Sequence, residues 1–180
     1  AREGYHAVLC RRSDEDGLKK LVQGIEADGG SATGFLLNAV EPNAIEERVA
    51  AVEAEIGPIE VAVYNLGAQI GDRSLADTSA KAFETGWRLG TFGLFRLAAA
   101  VCPPMVARGG GTILVTSATA AVRGNAGQHS HAAAMGGRRM LCQTLNAEFA
   151  PKGIHVAHVV IDGAVDAPDT LGKMLGAERF

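Results

Sequence analysis

Val61-Ala62-Val63-Tyr64-Asn65-Leu66-Gly67 is a short apolar run that breaks into a polar turn and a glycine. Four such residues with no polar alternation read as a strand covered on both faces. Helical periodicity flanks the run. Upstream, Asn43 to Ile56 places Ile45, Val49, Val52 and Ile56 on one stripe. Downstream, Ser79 to Cys102 carries Phe83, Trp87, Leu94, Phe95 and Leu97. The alternation continues outward. Tyr5–Cys10 and Ala32–Leu37 are strand-like, and the helix Asp14–Ala27 lies between them with Leu18, Leu21, Val22 and Ile25 in phase. After Gly109-Gly110-Gly111 come the strand Thr112–Thr116 and the helix Gln128–Ala150, with Leu141, Leu145 and Phe149 inward. Gly153 then leads into the last strand, Ile154–Val160.

This order predicts an α/β fold: a doubly wound parallel sheet with helices on both faces, in one domain spanning residues 1–180. Pro103-Pro104 should bend or end the long helix before it. Gly136-Gly137, inside the last helix, implies close packing there. Ala1-Arg2-Glu3-Gly4 looks like the tail of a helix with a glycine stop, so the true start is expected upstream. Leu171–Phe180 carries no evident end signal.

Composition narrows the function classes. The 180 residues suffice for one sizeable core, and 47% hydrophobic with 21% charged residues is ordinary globular usage. A net charge of −3 gives no reason to expect nucleic acid or an anionic membrane surface as partner. The apolar runs read as shorter than a membrane span. Cys10, Cys102 and Cys142 are odd in number and far apart, which fits reduced thiols in the cytoplasm. No signal peptide opens the chain. His129 and His131, and His155 and His158, lack the Cys or Glu companions of a zinc site, so no metal is expected.

Six short blocks in order give the chain a close resemblance to the short-chain dehydrogenase/reductase family. Arg11-Arg12 follows the first visible strand, and Asn38-Ala39 the second. Tyr64-Asn65-Leu66-Gly67 is similar to the family's Asn-Asn-Ala-Gly, and Ala68 follows it. Thr116-Ser117-Ala118 ends a strand, Lys152-Gly153-Ile154-His155-Val156 turns into the next, and Asp162-Gly163 stands at the family's Pro-Gly. The resemblance implies a Rossmann-like sheet binding a nicotinamide dinucleotide beyond the carboxyl ends of its strands. It also implies that the family's first strand and Gly-rich phosphate loop are missing. That strand would sit between Tyr5–Cys10 and Val61–Tyr64, so the domain is expected to be incomplete and to bind dinucleotide poorly.

The cofactor-binding candidates are Arg11, Arg12, Asn38, Ala39, Asn65, Leu66, Gly67, Asp162 and Gly163. Arginine after the first visible strand offers a donor fork to a ribose 2′-phosphate and favours NADP over NAD. Asn38 could hold the adenine amine or cap the next turn. The family's proton-transfer motif is Tyr-x-x-x-Lys, and the resemblance places it on His131 and Met135. The family's serine falls on Ala118, with Ser117 one residue early and Thr119 one late. Its asparagine falls on Gly90. The catalytic candidates are therefore His131, Ser117 and Met135. An imidazole titrates near ~6.5 without help from a lysine, which makes the joint loss of tyrosine and lysine coherent. Arg138 and Arg139 read as exposed helix charges.

The expectation is an NADP(H)-dependent oxidoreductase for a small carbonyl or alcohol, working as a homodimer or homotetramer. The alternative is a catalytically inactive homologue acting as a ligand-binding or assembly subunit.

Overall fold

The computed structural model describes residues 1–67 and 74–163; Ala68 and Leu171–Phe180 lie outside them. Five strands alternate with helices: β1 (His6–Arg11), α1 (Glu15–Ala27), β2 (Ser31–Leu36), α2 (Ala44–Glu55), β3 (Val61–Tyr64), α3 (Ala80–Trp87), α4 (Gly93–Ala107), β4 (Gly111–Ala118), α5 (His129–Phe149) and β5 (Ile154–Ile161). Every pairing is parallel, as crossover helices require. β1 pairs with β2 from His6↔Ser31 to Arg11↔Leu36. β4 lies between β3 and β5.

The sheet is therefore in two parts, β1–β2 and β3–β4–β5, and no pairing joins β1 to β3. Between those two strands runs a cleft of about 830 Å³. Val8, Ala62, Val63, Val49, Leu97 and Val101 contribute to its walls. This seam is where the sequence placed a missing strand.

Local chemistry explains the elements. Asp14 adopts a left-handed conformation (φ 65°) and accepts the Gly17 N–H at 2.9 Å, while Glu15 and Asp16 complement the positive end of α1. Ser79 caps α3 through the Ala82 N–H. The core forms where Leu94, Val101 and Met105 of α4 meet Ile113 and Val115 of β4, all of them fully buried. Each such side chain contributes roughly 2 kcal/mol by leaving water. Arg96, on the same helix, forks onto both oxygens of Glu46 on α2 and reaches the Ala39 carbonyl.

Two expectations about the long helix need correction. Pro103 and Pro104 do not end it, for α4 runs on to Ala107 with both inside. A proline within a helix costs about 3 kcal/mol. Here Val101, Cys102 and Met105 anchor the segment in the core and outweigh that preference. The stretch Ala80–Ala107 is also long and apolar enough, at 28 residues, to pass for a membrane span by length and composition. Its inner face is buried through Leu94, Ala98, Val101, Cys102 and Met105, whereas Phe83, Trp87 and Phe95 remain exposed.

α3 and α4 are joined by a π-turn, Arg88–Phe92, in which Gly93 N–H reaches back to the Arg88 carbonyl. Wider turns of this kind leave carbonyls open to outside donors. Two are taken here: Leu89 by the Tyr64 hydroxyl, and Gly90 by Arg138.

Candidate functional site

The site is built on the inner face of α5. Met135, Arg138, Cys142 and Leu145 recur at helical spacing on that face, and all are buried. His131 stands one turn before Met135 and is half-buried. Met135 is 2% exposed and Ser117 7%. The Ser117 hydroxyl donates to the Met135 sulfur at 3.6 Å, a weak bond because a thioether is a poor acceptor. Ala118, Ala120, Ala121, Ala132 and Ala134 pack in one cluster with Met135. The expected serine and methionine are thus brought together at the carboxyl end of β4. Thr119, the other hydroxyl considered, is exposed in a short 3₁₀ turn.

Close approach explains the glycine in the π-turn. A Cβ on Gly90 would lie 2.5 Å from Ala134 Cβ and 3.3 Å from the Met135 methyl. An asparagine cannot stand there unless α5 moves. Thr91 Oγ1 donates to the Ala134 carbonyl at 2.7 Å, and a Cβ on Gly137 would meet that same Oγ1 at 2.8 Å. The expected close packing therefore holds for Gly137. It does not hold for Gly136, where a Cβ would meet nothing within 4 Å.

Arg138 corrects the sequence reading outright. It is 2% exposed. Its Nε donates to the Gly90 carbonyl at 2.7 Å, Nη1 to Thr116 at 2.6 Å, and Nη2 to Leu66 at 2.5 Å. Its guanidinium carbon lies 5.0 Å from the centre of the Tyr64 ring. Burial pulls its pKa down, though a guanidinium stays charged in proteins. Burial likewise pushes the Tyr64 hydroxyl up to about 12 and the Cys142 thiol up to about 11. The signal was available, because Arg138 falls three residues after Met135 and four before Cys142. Residue type, not helix phase, pointed outward. Arg139, one residue on, is half-buried.

The cofactor candidates divide. Arg11, Arg12, Ala39, Asn65 and Leu66 all line the seam between β1 and β3. Arg11 is held by Asp14 at 2.9 Å, whereas no ion pair occupies Arg12 among the described residues. Asn38 Nδ2 donates to Glu41 at 2.9 Å and the Glu41 N–H returns to the Asn38 carbonyl, which closes the turn after β2. Asn65 accepts from Thr116 Oγ1 at 2.5 Å and so ties the ends of β3 and β4. Gly67 has open space where a Cβ would stand. Asp162 and Gly163 are exposed just past β5, and Gly163 has φ 154°. Among the described residues no group of three His, Cys, Asp or Glu could hold a metal ion.

The family model for short chain dehydrogenases matches residues 1–173. The chain belongs to the short-chain dehydrogenase/reductase family. It is 33% identical over 181 aligned positions to the short-chain reductase protein NovJ of Streptomyces niveus, covering 99% of this chain and 68% of that one. It is 29% identical to the 3-oxoacyl-[acyl-carrier-protein] reductase FabG of Salmonella typhimurium, over 91% of this chain and 65% of the relative. A short-chain dehydrogenase structure from Rhodopseudomonas palustris superimposes with TM-score 0.85 at 33% identity, over 93% of this chain and 76% of that one. A short-chain dehydrogenase/reductase described as putative, from Burkholderia xenovorans, superimposes with TM-score 0.89 at 26% identity, over 99% and 70%. The chain spans about two thirds of the length of these curated relatives.

In a short-chain dehydrogenase/reductase the four reacting positions are tyrosine, lysine, serine and asparagine. The positions that the sequence resemblance sets against these hold an imidazole, a thioether, an alanine with a hydroxyl one residue before it, and a glycine. The cation nearest to this set in the α5 sequence is Arg138, and it points down into the strand ends.

Proposed function

We propose that the chain forms the core of an NADP(H)-linked oxidoreductase acting on a small carbonyl or alcohol. The observation that carries the reading is the Ser117–Met135 contact at the carboxyl end of β4, with His131 one turn along the same helix. The residues present fit a dinucleotide: Arg12 lines the seam with no ion pair among the described residues, and Gly67 leaves room for close backbone approach. Arg12 would take the 2′-phosphate, with Arg11 free to help if it leaves Asp14. The bound nicotinamide supplies the hydride. Protonated His131 gives its proton to the carbonyl oxygen and recovers it from water. Ser117 orients that oxygen by turning its hydroxyl from Met135.

The domain is incomplete on this reading, and an extended strand fills the seam between β1 and β3. Without it, nucleotide binding is weak. Assembly into a dimer or tetramer through the two long helical segments Ser79–Cys102 and Gln128–Ala150 is supported by exposed apolar residues on them. Phe95 is 53% and Met140 54% exposed, and Trp87, Phe92 and Phe95 stack at 5.3 and 6.1 Å between ring centres. Three free thiols suit the cytoplasm.

A second reading is favoured by one specific observation. The Ser117 hydroxyl is buried against sulfur among alanines, a dry arrangement without a carbonyl clamp. On that reading the chain is an inactive homologue that binds ligand or assembles. Titration with NADPH and NADH, with and without a strand-forming segment supplied ahead of residue 1, tests the proposal. Preference for NADPH that Arg12→Gln removes supports it. Equal or absent binding of both nucleotides, even with the strand supplied, contradicts it.

A further inference from the structure

Arg138 is the one fully buried charged side chain among the described residues, and no carboxylate pairs with it there. Burying a cation is costly, and a well-packed apolar side chain in the same space would avoid that cost. An apolar side chain could not donate three hydrogen bonds. The three acceptors belong to three separate segments: the loop after β3, the end of β4 and the π-turn. Each carbonyl lies next to a residue the proposed chemistry uses. Leu66 precedes Gly67, where the dinucleotide would pass. Thr116 precedes Ser117. Gly90 packs on Ala134 and Met135. The planar fork of a guanidinium suits acceptors spread in this way, and the Tyr64 ring supports it from β3.

We propose that Arg138 is a positioning residue of this site: it acts through the carbonyl oxygens of Leu66, Thr116 and Gly90 to hold the dinucleotide loop, Ser117 and the π-turn in one arrangement. The inference rests on the nucleotide-binding reading for its functional consequence, but the coupling of the three segments stands apart from it. A lysine at this position offers a point charge with rotatable donors and should satisfy only part of the set.

The test compares Arg138→Met and Arg138→Lys with the unaltered chain by two readouts. Amide hydrogen exchange follows Leu66–Gly67, Arg88–Phe92 and Thr116–Ala118 together, with the β1–β2 half as internal control. NADPH affinity, with the seam strand supplied, is measured well below the melting temperature of each variant. The expected result is faster exchange in all three segments by about tenfold or more, an unchanged β1–β2 half, and NADPH binding weakened by about tenfold. Arg138→Lys should recover part of both. If Arg138→Met fails to fold, Arg138→Ala with added methylguanidinium is the substitute, and rescue of binding by that cation is expected. A uniform rise in exchange across the chain, or unchanged NADPH affinity in a folded variant, overturns the proposal. No NADPH binding by the unaltered chain, with the three segments still coupled in exchange, sinks the functional reading and confines Arg138 to a structural brace.

Discussion

At the scale of single residues, Gly90 is the position where geometry decides chemistry. Its missing side chain admits Ala134 of α5 to within contact, so restoring the family's asparagine alone should not restore the family's site. Gly90→Asn is expected to destabilise the fold by about 1–3 kcal/mol through overpacking. Pairing it with Ala134→Gly should recover most of that loss, and denaturant midpoints for the two single variants and the double variant measure it. The thiols give a second prediction. Cys10 is exposed and lines the seam, while Cys102 and Cys142 are buried. Alkylation of the folded chain should therefore modify Cys10 first, because Cys142 is buried and its thiol is pushed up to about 11. Mass mapping of the modified cysteine checks this. Arg138 and Arg139 show what residue-level reading loses. The two are adjacent and identical in type, yet only helix phase separates the buried brace from its half-buried neighbour.

At the scale of elements, the bounds of β3 were legible to the residue, but its expected cover on both faces was not met: Ala62 and Tyr64 are buried while Val63 is 58% exposed towards the open seam. α1, α2 and α5 were legible to within about two residues at their ends, which is the usual uncertainty of helix termini. The π-turn was not legible. It depends on Tyr64 and Arg138 arriving from distant elements to take the carbonyls of Leu89 and Gly90. The prolines misled for a similar reason, because tertiary burial held α4 where local preference would have stopped it. β5 carries a pH prediction. His158 is half-buried, and burial first, then Arg138 and Arg139, hold its pKa below the ordinary histidine value. The unfolded chain takes up this proton near ~6.5, and the folded chain only at lower pH. Stability from this group is therefore present above ~6.5 and falls as pH drops below it. His158→Gln should flatten the dependence in urea melts taken across that range.

At the scale of the whole molecule, the sheet of the described residues divides at one seam, and the cofactor candidates are split: Arg11 and Arg12 lie on the seam side of β3, while Asp162 and Gly163 follow β5 on the side of the catalytic candidates. Arg11, Arg12 and Leu66 face the cleft, while Ser117 and Met135 lie on the β4–α5 side. Leu66 joins the two, because its carbonyl is held by Arg138 from α5. Alternation of strands and helices revealed this architecture from sequence. The contacts across it were hidden, since they pair residues 22 to 72 positions apart. The central claim is that an imidazole at His131 does the proton transfer of a short-chain dehydrogenase/reductase. The most direct measurement is NADPH oxidation over a panel of small aldehydes and ketones, by the chain with its seam strand supplied and by its His131→Phe variant. The account predicts turnover that the substitution lowers by about a hundredfold or more while NADPH affinity is kept. Turnover unaffected by the substitution, or tight NADPH binding with no turnover on any carbonyl, would contradict it.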